Sequence, residues 1–270
     1  KWHLGHKKKW LPRTQGFDEY YGILYSNDMF PVQLIHNEKV VEYPVLQATL
    51  TERYTERAIQ FIEKHKDDPF FLYLLHAMPH KPLAASDDFY TPETPDNLYA
   101  DVIKELDTSI GEIFEKLKQL KIDDNTIVIF TSDNGREGVQ RSFGFTGPWR
   151  GSMFSPYEGS LRVPFLMRWP GHIPAGKVSN EIVHQIDLFP TFSSFIEADL
   201  PNDRIMDGVD QSEFLFGESE KSARESVIIY IGNELFGAKW RNWKMLLKEI
   251  DEGSYAIKNM AYPTFYNLLV

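Results

Sequence analysis

Apolar side chains recur at helical spacing in two long segments of the chain. From about Thr51 to His65, four apolar or aromatic residues fall on one side of a helix: Ala58, Ile59, Phe61 and Ile62. A second such pattern runs from about residue 97 to residue 120, and six apolar positions carry it: Val102, Leu106, Ile110, Ile113, Phe114 and Leu117. Both segments are therefore predicted to be amphipathic α-helices with one buried face.

Continuous apolar runs predict buried strands. FFLYLLH at 70–76 and IVIF at 127–130 are each bounded by turn signals, and RVPFLMRWPG at 162–171 holds a third short strand that ends in Pro-Gly. The order strand, helix, strand is that of a βαβ unit with a right-handed crossover. We therefore expect an α/β fold with a mostly parallel sheet that helices cover on both faces.

The remaining segments predict shorter elements. Residues 1–50 are rich in Gly, Pro, Asn and aromatic side chains without a long period, which is typical of loops with short strands. A helix is predicted over Ile182–Ala198, with Asp187–Pro190 as its entry. Near the carboxyl end, the runs SVIIYIG (226–232) and WKMLLKEI (243–250) predict two strands.

Length and composition limit the classes of protein that this chain can be. It has 270 residues, of which 42% are hydrophobic and 25% charged, so the chain has ample apolar material for a core. A change of pattern near Asp203–Gly208 predicts a larger α/β domain over 1–210 and a smaller, strand-rich subdomain over 211–270. The formal net charge of −10 argues against a nucleic-acid binder, because phosphate contacts require an excess of Lys and Arg. No run of 18 apolar residues occurs, so no membrane span is expected.

The cysteine count excludes several kinds of chemistry. With no Cys among the 270 residues, this stretch can hold no disulfide, no thiolate metal site and no cysteine nucleophile. The first residues, Lys1-Trp2-His3, are neither an initiator methionine nor a signal peptide. We therefore expect the sequence to begin inside a longer protein, so that its targeting information is not visible.

Polar side chains follow two of the predicted strands where these strands end. His76 and His80 lie at the end of the 70–76 run, and Asp133 and Asn134 follow the 127–130 run. In a parallel sheet, these groups would gather at the carboxyl edge, where α/β folds bind ligands. Asp and Asn oxygens suit a hard cation such as Ca²⁺ or Mg²⁺, and a neighbouring histidine suits acid–base catalysis.

The residues alone leave other interpretations open. Asp133-Asn134-Gly135 is also typical of a surface turn, and His80 also fits a surface histidine held by the prolines beside it. His76 fits a structural role. The pattern by itself therefore supports a metal-assisted hydrolase only as one hypothesis.

Several segments resemble a known family in the same order along the chain. KWHLG at 1–5 is similar to the G-K-W-H-L-G segment of the sulfatase family and lacks only its first glycine. Further family-like segments are QGFDEYYGILYS, HAMPHKP, NTIVIFTSDNG, YEGSLRVP and HQIDLFPT. The resemblance runs from Lys1 to about Asp210, and PTFYNL near the end is also family-like. It implies the alkaline-phosphatase-like α/β fold, incomplete at its N-terminus, with a small C-terminal subdomain.

The resemblance implies roles for four residues of the first 80. Lys1 matches the lysine that holds the sulfate oxygens, and its charge suits an anion that gains charge during bond breaking. His3 matches the base that acts when sulfate leaves the covalent intermediate. His80 matches the histidine that hydrogen-bonds the bridging oxygen and protonates the leaving alcohol. Ser26 matches a small polar residue of the pocket wall.

In the middle of the chain, the resemblance implies a metal site and shows one departure. Asp133 and Asn134 match metal ligands, with Ca²⁺ usual in the family and Mg²⁺ less expected. Family members commonly carry a lysine five residues before the glutamate of the Y-E-G segment, here Glu158, but this chain has Met153 there. Methionine carries no charge. Our hypothesis is that Arg150, whose guanidinium forks onto oxyanions, replaces that lysine.

The implied activity is hydrolysis of an aryl or carbohydrate sulfate ester, with a sulfated small molecule or glycan as substrate. The family nucleophile is a formylglycine made from Cys or Ser in a C/S-x-P-S-R-type segment, which we expect upstream of Lys1; the 270-residue chain alone is therefore expected to be inactive. A phosphate or phosphonate monoester hydrolase and a non-catalytic protein that binds sulfated glycans are the alternatives. Family members are periplasmic, secreted or lysosomal, while the sequence itself leaves the compartment open.

Overall fold

The computed structural model describes residues 1–93, 97–138, 144–252 and 254–269. The chain divides into two compact units, which we call unit 1 (Lys1–Thr126) and unit 2 (Ile127–Val270). The domain boundary expected between residues 210 and 211 stays a prediction.

Unit 1 combines a small antiparallel sheet with two long helices. The sheet has the order β1 (Tyr21–Gly22), β2 (Leu34–His36) and β3 (Lys39–Glu42). The helices are α1 (Leu50–His65) and α2 (Leu98–Gln119), and short 3₁₀ turns lie at Lys8–Trp10, Pro12–Gln15, Gln47–Thr49 and Asp123–Asn125. Within the described part of the chain, no helix is both long enough and apolar enough to span a bilayer.

The predicted face of α1 forms part of the core of unit 1. Leu50, Tyr54, Ala58 and Ile62 are buried, and their spacing places them along one side of the helix. Leu50 and Tyr54 belong to a cluster with residues from the sheet and the loops: Ile23, Val32, Leu34, Val45 and Ala77. The amphipathic helices predicted from the sequence are confirmed, each to within about one residue at its ends.

The apolar run at 70–76 differs from its prediction. These residues are assigned neither strand nor helix, and their side chains alternate in exposure, with Phe71 62% and Tyr73 58% exposed. A strand requires a hydrogen-bonded neighbour, and an apolar run carries no information about which segment that neighbour is. The local pattern therefore could not show whether a ladder forms, because that depends on residues far away in the sequence.

In the described part of unit 2, the chain forms two antiparallel sheets and three short helices. The first sheet pairs β4 (Val128–Thr131) with β5 (Phe165–Arg168). The second sheet has the order β6 (Ser226–Ile231), β7 (Glu234–Trp240), β8 (Trp243–Ile250) and β9 (Ile257–Asn267). The helices are α3 (Glu158–Leu161), α4 (Leu188–Phe195) and α5 (Ser212–Leu215), and a 3₁₀ turn at Gln185–Asp187 precedes α4.

The strand pairing differs from the parallel sheet that we expected. Every pairing assigned among the described residues is antiparallel, including β4 with β5, in which Val128 lies opposite Arg168. The expectation rested on the order strand, helix, strand along the chain. This order does not show which strands pair with each other. The mixed α/β composition and the strand-rich carboxyl end are both present.

The entry of α4 is built as the sequence predicted. His184 and Asp187 form a capping box, in which each side chain accepts a backbone N–H of this turn. Pro190 is the third residue of α4, where its missing N–H would have no helical partner in any case. The helix is shorter than the predicted Ile182–Ala198, because the residues before Leu188 form a 3₁₀ turn and extended chain.

Candidate active site

Backbone hydrogen bonds fix the first residues of unit 1 against two other segments. The backbone nitrogen of Lys1 donates to the carbonyl of Leu75 at 2.7 Å, and the N–H of His3 donates to the carbonyl of Leu24 at 2.8 Å. His3 has a φ of 57°, in the left-handed region that non-glycine residues rarely adopt and that is enriched at functional sites. Leu24 and Leu75 lie shortly before Ser26 and His80 in the sequence, which are two other predicted site residues.

Ser26 and His80, which lie 54 positions apart in the sequence, meet in unit 1. The hydroxyl of Ser26 lies 3.3 Å from Nδ1 of His80, and Ser26 is 4% exposed. Nδ1 of His80 also lies 2.7 Å from the carbonyl oxygen of Lys81. Because a carbonyl only accepts, Nδ1 must carry a hydrogen. Nε2 is then the ring nitrogen that this carbonyl leaves available to other groups.

Asn27 holds this histidine loop in place and was missed in the sequence. Its side-chain nitrogen lies 3.1 Å from the carbonyl oxygen of His80 and 3.3 Å from that of Pro82. Gln47 completes the arrangement, because its amide nitrogen donates to the backbone carbonyl of Asn27 at 2.8 Å. Asn27 is fully buried. Its position directly after Ser26 was the only signal that could have identified it.

Asp28 is a second residue that sequence reasoning missed. Its carboxylate is exposed, and its pKa is lowered chiefly by a hydrogen bond with the side chain of Ser26. His80 and Lys1 act electrostatically in the same direction, so the carboxylate of Asp28 interacts with the side chains of Ser26, His80 and Lys1.

His76 differs from His80 in its surroundings. Burial lowers the pKa of His76 well below its usual range, so the ring is neutral at pH 7. Among the described residues, neither of its ring nitrogens has a hydrogen-bond partner. Its ring packs 6.2 Å from that of Tyr54. These contacts agree with the structural role that the sequence suggested for His76.

In unit 2, the predicted metal ligands lie in the turn that follows β4. The side-chain nitrogen of Asn134 donates to the carbonyl of Gly135 at 2.7 Å, which leaves its amide oxygen as the ligand atom. The hydroxyl of Ser132 donates to the carbonyl of Asn134 at 3.1 Å, and the side chain of Gln185 donates to the carbonyl of Ser132. The backbone on both sides of Asp133 is therefore held by hydrogen bonds.

The glycine of this turn is required by a close backbone contact. The N–H of Gly135 donates to the carbonyl of Ser160 at 2.9 Å, and a Cβ added to Gly135 would lie 2.0 Å from the carbonyl oxygen of Gly159. A Cβ added to Gly159 would lie 2.4 Å from the carbonyl oxygen of Gly151. The D-N-G and Y-E-G segments therefore pack backbone to backbone, which only glycine permits.

The donor atoms of the turn fit a hard cation but supply only part of its shell. Asp133 and Asn134 offer a carboxylate and an amide oxygen, which suit Ca²⁺. A calcium ion takes six to eight oxygen ligands. The described residues contain no group of three or more His, Cys, Asp or Glu side chains that could hold a metal ion. The turn is therefore at most a partial calcium site within this part of the chain.

Arg150 has contacts of its own in unit 2. Its guanidinium carbon lies 3.9 Å from the centre of the Tyr157 ring, and its Nε lies 3.6 Å from a carboxylate oxygen of Glu252. The side chain is 62% exposed. These contacts do not involve Asp133 or Asn134, and the sulfate-binding role hypothesised for Arg150 stays a prediction.

Replacing Arg150 tests that hypothesis. If Arg150 takes the place of the missing lysine, Arg150→Ala in the whole protein should lower kcat/KM for a sulfate ester by about two orders of magnitude or more, roughly 3 kcal/mol of transition-state stabilisation. Thermal unfolding of the same variant measures the separate loss of the contact with Tyr157. A decrease of only a few-fold in kcat/KM would show that the arginine has no such role.

The segments that carry these side chains match one protein family. The family model described as Sulfatase matches residues 1–197. The chain belongs to the sulfatase family. All seven site residues that the sequence singled out lie inside the matched range: Lys1, His3, Ser26, His80, Asp133, Asn134 and Arg150.

Curated sulfatases are similar to most of this chain. N-acetylgalactosamine-6-sulfatase of Sus scrofa is 34% identical over 264 residues, which cover 90% of this chain and 50% of that protein. Arylsulfatase G of Rattus norvegicus is 34% identical, with 83% and 51% covered, and steryl-sulfatase of Homo sapiens is 33% identical, with 77% and 36% covered. The chain spans about half the length, or less, of these relatives.

Solved sulfatase structures share the fold. A sulfatase from a Bacteroides thetaiotaomicron locus for the metabolism of multiple glycosaminoglycans aligns over 99% of this chain and 70% of its own, with a TM-score of 0.83 and 25% identity. Ps i-CgsB in complex with k-i-k-neocarrahexaose aligns over 99% and 63%, with a TM-score of 0.81 and 28% identity. These comparisons confirm the alkaline-phosphatase-like α/β fold.

Proposed function

We propose that the whole protein hydrolyses an aryl or carbohydrate sulfate ester and that this chain supplies acid–base, sulfate-binding and metal-binding residues. The observation that carries the proposal is the contact of Ser26 with His80 in unit 1, within the range matched by the sulfatase family. Backbone hydrogen bonds attach Lys1 and His3 to Leu75 and Leu24, in the segments that lead to this pair. The backbone of these residues is fixed by hydrogen bonds between segments far apart in the sequence, as a preorganised site requires.

Lys1 is the proposed ligand of the sulfate group. Its ammonium charge offsets the negative charge on the sulfate oxygens, and this interaction strengthens as the ester bond breaks and charge builds up. Ser26, which is almost completely buried, forms the wall behind the group.

His80 is the proposed acid for the leaving alcohol. Nδ1 is held by the carbonyl of Lys81, so a protonated ring presents its second hydrogen on Nε2. That proton passes to the bridging oxygen as the bond to sulfur breaks. His3 is the proposed base that accepts a proton when sulfate is released.

The proposal also includes a nucleophile and a metal ion, in addition to the side chains named above. A formylglycine in a segment before Lys1 is the proposed nucleophile, and when present it supplies the oxygen that attacks sulfur. Asp133 and Asn134 would hold Ca²⁺ together with further ligands, and the ion would neutralise anionic charge at the site. Ca²⁺ is preferred to Mg²⁺ because Ca²⁺ accepts more oxygen ligands and a less regular geometry.

A carbohydrate sulfate is the preferred substrate within this proposal. Among the similar proteins, one is named for N-acetylgalactosamine 6-sulfate, and one solved structure contains a neocarrahexaose. Steryl-sulfatase is also among the relatives, so the aryl and sterol esters serve as comparison substrates.

Matched aryl esters test the reaction class. The whole protein, assayed with calcium present, should cleave nitrophenyl sulfate with a higher kcat/KM than nitrophenyl phosphate, since both release the same phenolate. A preference for the phosphate ester would favour the phosphate or phosphonate monoester hydrolase instead. Calcium-dependent binding of a sulfated glycan without any turnover would favour the non-catalytic alternative.

A further inference from the structure

A buried carboxylate in unit 2 binds three cationic side chains. Glu158, which is 5% exposed, accepts from Nε of Arg162 at 2.7 Å, from Nζ of Lys239 at 3.0 Å and from Nζ of Lys244 at 2.8 Å. Burial alone would raise the pKa of Glu158, but Lys244, Arg162 and Lys239 together lower it to about 2. The carboxylate is therefore fully charged in the folded protein.

The two lysines are placed opposite each other in the C-terminal sheet. Lys239 on β7 pairs with Lys244 on β8 in the antiparallel register, and Lys244 is 3% exposed. Like charges directly opposite on neighbouring strands are destabilising, and a buried ammonium group is costly without a partner. Glu158 accepts hydrogen bonds from both lysines, and its negative charge offsets the repulsion between them.

The anchored carboxylate is directly connected to the turn that carries the proposed metal ligands. Glu158 is the first residue of α3, and the next two residues make the close backbone contacts with that turn. Ser160 accepts the N–H of Gly135, and the carbonyl of Gly159 occupies the space where a Gly135 side chain would lie. Gly135 immediately follows Asn134. Because atoms are in direct contact at each step, a shift of Glu158 has to move the turn or break these contacts.

A second contact anchors the same segment to the same sheet. The hydroxyl of Tyr157 donates to the carbonyl of Ile250, at the end of β8, at 3.1 Å, and Tyr157 is 5% exposed. Residues 157 and 158 are thus attached to the C-terminal sheet at two separate points. Both attachment points on the sheet lie beyond residue 197, where the family match ends.

We propose that the C-terminal sheet positions the Asp133-Asn134 turn for metal binding through the contact of Lys239 and Lys244 with Glu158. The three side chains are positioning residues, since none of them is itself a metal ligand in this account. The inference rests on the proposed role of Asp133 and Asn134 as calcium ligands.

The experiment measures calcium affinity in the whole protein by isothermal titration, at a temperature well below the unfolding midpoint of every variant. Lys244→Met should raise the Kd for Ca²⁺ at least tenfold, and Lys244→Arg should restore most of the affinity. Lys248→Met is the matched control, because Lys248 also lies on β8 and pairs with the exposed Glu234 of β7. Its Kd should equal that of the unaltered protein.

A triple variant separates positioning from general stability. Glu158→Gln combined with Lys239→Met and Lys244→Met removes the carboxylate and both buried lysines and leaves only the more exposed Arg162, so it should recover thermal stability relative to Lys244→Met alone. Its calcium affinity should stay at least tenfold weak, because the ionic attachment of the turn is still missing. Full recovery of both stability and affinity would overturn the proposal. Equally tight calcium binding by all variants would also overturn the proposal. If the unaltered protein binds no calcium, the metal role of Asp133 and Asn134 is wrong, and this inference fails with it.

Discussion

Replacing His80 with alanine in the whole protein should slow the cleavage of a sugar sulfate by about 10²- to 10⁴-fold, the range in which general acid catalysis contributes. A sugar alcohol is a poor leaving group and requires the proton that Nε2 donates. Nitrophenolate leaves readily without a proton, so the rate on nitrophenyl sulfate should fall much less. The measurement is kcat/KM for both esters with the unaltered protein and the variant.

A second histidine provides the control for this comparison. His65, the last residue of α1, stacks on Phe61 with ring centres 4.6 Å apart and belongs to none of the site contacts. His65→Ala should leave both rates within a few-fold of the unaltered protein. Equal losses on the two esters in His80→Ala would show that His80 does not protonate the leaving group.

Removing Arg224 should destabilise unit 2 by about 3–5 kcal/mol, the usual result of leaving a buried charge unpaired. Its guanidinium donates to the carboxylate of Asp187 at 2.6 and 2.9 Å, and Asp187 is completely buried. Burial alone would raise the pKa of Asp187, but the hydrogen bonds from Arg224 and from the N–H groups of Val209 and His184 lower it. Denaturant unfolding of Arg224→Ala at pH 7 measures the loss.

An exposed ion pair nearby in the sequence is the matched control. Arg204 pairs with Asp203, both side chains are at least 60% exposed, and Arg204→Ala should leave the free energy of unfolding nearly unchanged. Because the folded pKa of Asp187 lies below its unfolded value, the stabilisation by Arg224 is present above about pH 4 and is lost as the pH falls through the folded pKa. A loss below about 1 kcal/mol in Arg224→Ala would contradict this account of Asp187.

The helices of unit 1 could be predicted because their information is local. Four or more apolar positions at helical spacing specify α1 and α2, and their ends fall within about one residue of the predictions. The apolar run at 70–76 and the strand β4 could not be assigned neighbours in the same way. Pairing is decided by segments distant in the sequence, and chain order alone suggested a parallel arrangement that the described strands do not have.

The residues of the candidate site could also be predicted only in part. The sequence singled out Lys1, His3, Ser26 and His80 through family segments, yet it could not reveal Asn27, whose contacts reach across more than 50 positions to the loop of His80. Long-range contacts of this kind leave no periodic pattern for a sequence to display.

Two glycines and two lysines have contact partners that are distant in the sequence. Gly135 was predicted as a turn residue, whereas its backbone contact with Gly159 is what excludes a side chain. The sequence singled out neither Lys239 nor Lys244, and their partner Glu158 lies 81 and 86 positions away. In each case the chemistry of the residue was visible and its partner was not.

The measurement that tests the central proposal most directly is the release of inorganic anion from a matched pair of sugar esters. The whole protein, with calcium present, is incubated with the 6-sulfate and the 6-phosphate of N-acetylgalactosamine, and free sulfate and phosphate are quantified by ion chromatography. We predict release of sulfate with little or no release of phosphate. Phosphate release without sulfate release, or release of neither anion from these and the aryl esters, would contradict the proposal that this member of the sulfatase family hydrolyses sulfate esters.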